Sequence, residues 1–117
     1  MIAKIIELRE EIVNSLPVDY YKYLLQGLFA GDGSIELTKK KTIREINFTN
    51  CEEDIRHMMG KLLDVFNIKY KNDVNKKEIR IYGYDNFRKI NQLDIFKFHP
   101  ERNEKFRIGL ENAKTLK

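Results

Sequence analysis

The sequence predicts an α+β domain in which helices cover one face of a four-stranded antiparallel sheet. Two observations carry that prediction. From Tyr20 onward a helix, strand, strand unit occurs twice. Within those units, the short segments alternate polar and apolar residues, whereas the longer ones carry a single apolar stripe. A chain of 117 residues fits one compact domain with a modest core.

The elements follow in order. Residues 2–15 place Ile2, Ile5, Ile6, Leu8, Ile12 and Val13 mostly on one stripe, predicting an extra N-terminal helix within residues 1–16, ahead of a main domain over 17–117. Leu16-Pro17 breaks it, because proline disfavours helical geometry in the residue before it. Asp19 can cap a second helix from Tyr20 to about Ala30, ended by Gly31-Asp32-Gly33. Ser34–Thr38 and Glu45–Thr49 read as half-buried strands joined by a Lys39–Thr42 turn. Ile35, Leu37, Ile46 and Phe48 then face the core, and Glu36, Thr38, Lys40, Glu45, Asn47 and Thr49 face outward. Asn50 and Glu53 resemble a capping box for a helix over 52–66, whose apolar face is Ile55, Met58, Met59, Leu62, Leu63 and Phe66. Strands at 68–74 and 78–82 flank an Asn75-Lys76-Lys77 turn. Helices over 85–94 and 101–113 follow, with Pro100 at the first turn of the last.

Composition excludes several classes. The one cysteine, Cys51, rules out an intrachain disulfide framework and a CxxC-type zinc site. No apolar run reaches the roughly 18 residues that cross a bilayer, and Glu7, Glu10 and Glu11 interrupt any signal peptide. The expectation is an intracellular domain in a reducing compartment, cytoplasmic or in an organellar matrix, with no membrane partner. The net charge of +4 is uneven. Residues 34–50 and 69–82 together hold nine Lys and Arg against four Asp and Glu.

One sheet face is therefore left uncovered, carrying residues at two-residue steps. Such faces are ordinarily polar for solubility alone. The functional alternative is a nucleic-acid saddle, since a β-ribbon fits a major groove and these side chains match base edges. Its candidate contacts are Ser34, Glu36, Thr38, Lys40, Arg44, Glu45, Asn47, Lys69, Lys71, Asn72, Glu78, Arg80 and Tyr82. The acids among them oppose purely non-specific phosphate binding and lean towards base readout.

The segment Leu25-Gln26-Gly27-Leu28-Phe29-Ala30-Gly31-Asp32-Gly33 has no explanation as a surface helix. Gly27 and Gly31 sit four apart among bulky residues, and each internal glycine costs about 1 kcal/mol relative to alanine. A close helix–helix crossing would offset that cost. Asp32 meets the negative end of the helix dipole, a position made comfortable by a neighbouring cation and so pointing to a metal.

Here the chain resembles the LAGLIDADG homing endonucleases. Leu25 to Gly33 matches the nine-residue signature at positions one, three, four, eight and nine, with Phe29 at five and Gly31 at seven. The αββαββα order extends the resemblance over roughly residues 18–113. It implies that two signature helices pack together, here through Leu24, Gly27, Leu28 and Gly31, and that Asp32 binds Mg²⁺ with the Gly31 carbonyl as its companion. One signature per chain implies a homodimer acting on a pseudo-palindromic double-stranded DNA site. Asn50 stands where the family keeps a polar residue near the catalytic water; its other reading is the helix cap. Lys97 and Arg102 stand where a basic residue supports the scissile phosphate, while His99 reads as a helix-flanking residue and His57 as structural. Position six, commonly acidic, is Ala30. The resemblance thus implies a sequence-specific, Mg²⁺-dependent endonuclease or, alternatively, a cleavage-deficient nucleic-acid-binding protein such as a maturase or regulator.

Overall fold

A computed structural model describes residues 18–116; the predicted N-terminal helix and its break at Leu16-Pro17 lie outside the described residues. The described elements are α1 (Val18–Asp32), β1 (Gly33–Leu37), β2 (Ile43–Thr49), α2 (Glu53–Val65), β3 (Lys71–Asp73), β4 (Glu78–Ile81), α3 (Tyr84–Gln92) and α4 (Pro100–Leu116). The strands form one sheet in the order β1-β2-β4-β3, antiparallel at every pairing. The α+β architecture and the repeated helix, strand, strand order are as the sequence predicts.

Three boundaries move for identifiable reasons. The first helix runs through Gly31 and Asp32, so neither residue terminates it, and it begins at Val18, which places Asp19 inside it. The third strand shrinks from the expected seven residues to Lys71–Asp73. Asn67 adopts φ 55°, and its N–H reaches the Asp64 carbonyl while Ile68 N–H reaches Leu63. That Schellman closure of α2 draws Ile68 into the core instead of the ladder. The same device ends α3 early, with Asp94 at φ 52° and Ile95 N–H bonded back to the Ile90 carbonyl.

The core lies between the helices and one sheet face. Ile35, Ile46, Phe48, Ile79 and Ile81 rise from the strands to meet Leu25 and Phe29 of α1, and Met58, Met59, Leu62 and Leu63 of α2. Phe29 packs 5.8 Å from Phe48 and 5.6 Å from Phe96, ring centre to ring centre. Buried Gln26 ties α1 to the end of α3 by donating Nε2 to the Leu93 carbonyl at 3.0 Å. At the junction of α1 and β1, a Cβ on Gly33 would lie 2.5 Å from the Phe29 ring and 2.7 Å from its carbonyl. Only glycine lets the chain pass from helix to strand with no intervening loop.

A candidate nucleic-acid interface with an acid at its edge

The register sets the geometry. Gly33 opposes Phe48 and Thr49 opposes Glu78, so the end of α1, the end of β2 and the turn after β3 gather at one end of the sheet. Asn50 N–H confirms this by bonding the Lys77 carbonyl at 3.1 Å. The opposite end is the Lys39–Thr42 turn.

Asp32 is exposed at the first of these ends and accepts a 2.9 Å hydrogen bond from Asn50 Nδ2. Asn50 is fixed on every side. Its Oδ1 accepts Glu52 N–H at 2.8 Å, and its carbonyl accepts Arg56 Nη1 at 2.6 Å. The predicted capping box does not form in that shape: Glu52, not Asn50, is the N-cap of α2, and Asn50 closes a tighter turn two residues ahead. Asn50 thus makes one contact with each side-chain atom, Nδ2 to Asp32 and Oδ1 to the backbone at the start of α2. Arg56 is a residue that pattern reasoning missed. It is 7% exposed, and its spacing from Met59 and Leu63 on the apolar stripe of α2 is the signal that could have found it.

Arg102 lies at the same helix end but faces backbone. Its Nη1 donates at 3.0 Å to both the Phe29 and Ala30 carbonyls, bringing a cation to the negative end of α1. His99 accepts Arg102 N–H through Nδ1 at 3.2 Å and so caps α4, in keeping with a helix-flanking role. Lys97 is not joined to this group; its Nζ sits over the Phe98 ring at 5.9 Å. His57 is exposed on α2.

Along α1, Gly27 and Gly31 are exposed, and a Cβ added to either would meet nothing within 4 Å. No contact among the described residues therefore requires glycine there. The glycines continue a stripe of half-exposed Tyr20 and Tyr23 and partly buried Leu24 and Leu28. Tyr23, Leu24, Gly27 and Leu28 line a shallow depression together with Met58.

The open sheet face departs from its expected character. Ser34 opposes Asn47 and Glu36 opposes Glu45; Arg80 stands between Asn47 on β2 and Lys71 on β3, with Asp73 opposite Glu78. The middle of the face thus holds Glu36, Glu45, Asp73 and Glu78 against Lys71 and Arg80, and Lys39, Lys40, Lys41, Lys76 and Lys77 lie in the turns at its two ends. Arg80 is gathered by three carboxylates, at 3.0 Å from Glu45, 3.6 Å from Asp73 and 3.9 Å from Glu78, and lies 5.8 Å over the Tyr82 ring. Glu45 and Asn47, expected to be exposed, are only 2% and 5% accessible under this network. Burial acts to raise the Glu45 carboxyl, but favourable contacts with Arg80 first, then Tyr82, Glu36 and Asn47, outweigh it and hold the group at about 2. Burial and then the Glu45 charge raise the Tyr82 phenol.

Other candidates sit elsewhere. A bulge between Glu36 and Leu37 pairs Leu37 with Ile43, and Arg44 lines a depression with Gly83, Tyr84 and Phe87. Asn72 opposes buried Ile79 and so belongs to the helix side, where it shares a depression with Lys69. Thr38 closes its own turn, accepting Thr42 N–H at 3.2 Å, and Lys40 is exposed in that turn.

Among the described residues no group of three or more His, Cys, Asp or Glu side chains could hold a metal ion, and no helix is long and apolar enough to cross a membrane. A search of curated proteins finds no match. A family model described as a LAGLIDADG-like domain matches residues 19–113, spanning all of the geometry above. The chain belongs to the LAGLIDADG family.

Proposed function

We propose that the protein is a sequence-specific, Mg²⁺-dependent endonuclease of double-stranded DNA, working as a homodimer on a pseudo-palindromic site. The family contains both nucleases and nucleic-acid-binding proteins without cleavage, and the observation that favours cutting is the exposed Asp32 carboxylate held by Asn50. One oxygen is oriented by that amide, and the other is left without a protein donor among the described residues.

This donor set fits the cofactor. Magnesium is usually bound by one or two carboxylates together with substrate phosphates, so a single acid per chain is enough when two chains and a DNA phosphate complete the shell. Asp32 and the Gly31 carbonyl are the groups that would hold it. When bound, the ion would activate water and stabilise the charge developing on the phosphate. The chain's own part is positional. Arg56 and the Lys77 carbonyl fix Asn50, Asn50 aims Asp32, and Arg102 steadies the helix end carrying it.

The unexplained glycines supply the dimer. A second α1 laid along Leu24, Gly27, Leu28 and Gly31 would put both Asp32 residues at the base of one interface and align the two sheets along one duplex. Selection of cleaved sites from a random duplex library with Mg²⁺, repeated with Ca²⁺, tests this. Enriched two-fold-related sites that are cut only with Mg²⁺ support the reading; a protein that cuts nothing overturns it. The reading without cleavage is favoured by Ala30 at the motif's sixth position and by the engagement of Arg102 with carbonyls. Enrichment with Ca²⁺ and no cutting with Mg²⁺ would select it.

A further inference from the structure

Two helices that face each other ordinarily meet through interlocking apolar residues. Where α3 faces α4 the sequence supplies something else. Tyr84, Arg88 and Asn91 recur along α3 at helical spacing, and Arg107, Glu111 and Lys114 recur along α4 in the same rhythm, so each set shares one helix face. Together with Leu110 they line a cavity of about 400 Å³ between the two helices. A second depression, of about 290 Å³, adjoins it across Tyr84, which lines both. Its walls are chiefly apolar, including Ile43, Phe87 and Ala113, with Arg44 beside them. Asn112, between Glu111 and Ala113 on α4, donates Nδ2 to the Lys41 carbonyl at 3.0 Å. Both cavities thus belong to the Lys39–Thr42 end of the molecule, away from Asp32, and to the helix layer.

The charges around them do not balance. Arg107 is spent, its Nε and Nη2 donating to Glu104 at 3.2 and 2.6 Å, and Glu111 lies in its field. Arg44, Arg88 and Lys114 are exposed and have neither an ion pair nor a hydrogen bond among the described residues. Four cations (Arg44, Arg88, Arg107 and Lys114) against two acids (Glu104 and Glu111) leave a charge of +2.

A phosphomonoester carries about −1.5 to −2 at pH 7, with three acceptor oxygens. A carboxylate brings less charge and fewer acceptors, and a duplex is too broad to enter a gap between two helices. The larger cavity has the size of a small-ligand site, with guanidinium, ammonium and amide donors to hold a phosphate. The apolar neighbour suits a planar body laid against Tyr84, and stacking of that kind tolerates any base.

We propose that these adjoining cavities form a binding site for a nucleoside phosphate, separate from the Asp32 site and from the open sheet face. Arg88 and Lys114 take the phosphate, and Tyr84 divides it from the base. The assignment does not depend on the duplex-binding reading.

The test is an amide-resolved NMR titration of the full chain with thymidine 5′-monophosphate, thymidine, inorganic phosphate and a short single-stranded oligothymidylate. The monophosphate should shift the Arg88, Asn91 and Leu110 amides saturably, binding at least about tenfold more tightly than thymidine or phosphate alone. The double variant Arg88→Ala, Lys114→Ala, with an otherwise superimposable spectrum, should weaken it by at least about tenfold and leave duplex binding with Ca²⁺ unchanged. Lys76→Ala, Lys77→Ala should leave the nucleotide shifts as they are. Tighter binding of the oligothymidylate would make a single strand the source of the ligand, and tighter binding of the monophosphate a free nucleotide. No saturable shift with either nucleotide probe, or shifts undiminished in the Arg88, Lys114 variant, overturns the assignment. So does inorganic phosphate binding as tightly as the monophosphate, which would reduce the cleft to a non-specific anion patch. Duplex recognition is read separately and survives any of these failures.

Discussion

Asn50 donates its side-chain amide to Asp32 at 2.9 Å while the oxygen of the same amide accepts the Glu52 N–H at 2.8 Å. One side chain thereby couples the start of α2 to the carboxylate at the end of α1, across the end of the sheet. The two contacts use different atoms and can be separated. In Asn50→Ser the hydroxyl can still accept the Glu52 N–H but is too short to reach Asp32. Stability should fall by no more than about 1 kcal/mol, whereas the Mg²⁺-dependent cleavage rate should fall at least tenfold. Single-turnover cleavage beside a urea denaturation curve measures both; a wild-type rate would confine Asn50 to the cap.

Asp32→Asn removes the charge and keeps the size. Cleavage with Mg²⁺ should be lost, and duplex binding measured with Ca²⁺ should be retained within a few-fold, because the residue lies at the end of the sheet and not on its face. Unchanged cutting would refute the metal assignment.

The glycines of α1 permit a test with two signs. A methyl group at Gly27 has open space around it within the chain, so Gly27→Ala should stabilise the isolated protomer by about 1 kcal/mol through helix propensity. If two α1 helices cross there, the same methyl groups force the backbones apart and weaken the dimer. Sedimentation across a dilution series should show more monomer, with a higher melting temperature for that monomer. A rise in stability with unchanged association would place the interface elsewhere.

Element order was legible in the sequence because period and turn chemistry report it locally: alternation at Ser34–Thr38 and the apolar stripe ending at Phe66 survive any packing arrangement. The signature glycines were legible for the same reason, since their propensity cost is local. What was not legible depends on pairing. Segment charge counting gave residues 34–50 and 69–82 an excess of bases, but charge does not reveal side. Only the register shows that Asn72 shares a face with Ile79, that the bulge carries Arg44 to its own depression, and that four acids meet at the centre. Likewise, the burial of Glu45 follows from Arg80 lying thirty-five residues away. His99 and Arg102 look alike as basic residues at the start of a helix, and only the fold turns one into a cap and the other towards the Phe29 and Ala30 carbonyls.

The Glu45 network gives the fold an acid limit. A carboxyl held at about 2 in the folded chain and near its ordinary value when unfolded contributes stability at all pH values above roughly 4.5. That contribution is lost progressively as pH falls from there towards 2. Glu45→Gln should cost about 2 kcal/mol at pH 7 by removing a charged hydrogen bond to Arg80, and should flatten the decline in stability between pH 4.5 and 2. Urea midpoints across that range read the slope; an equally steep decline in the variant would assign it to other carboxylates.

Affinity for the duplex should come from the turns and not from the centre of the face. Lys39, Lys40 and Lys41 lie exposed at one end of the sheet, and Lys76 and Lys77 at the other. Each lysine that meets a phosphate steepens the plot of log affinity against log salt by about 0.9. The double variant Lys76→Ala, Lys77→Ala should lower affinity similarly on all sequences and make the slope shallower, and so should Lys39→Ala, Lys40→Ala. Glu36→Ala should change sequence preference with little change in slope, since no phosphate contact is lost. Titrations at several salt concentrations on the selected site and on a scrambled duplex distinguish the two classes. A slope unmoved by removal of either lysine pair would show that the phosphates are met elsewhere on the chain.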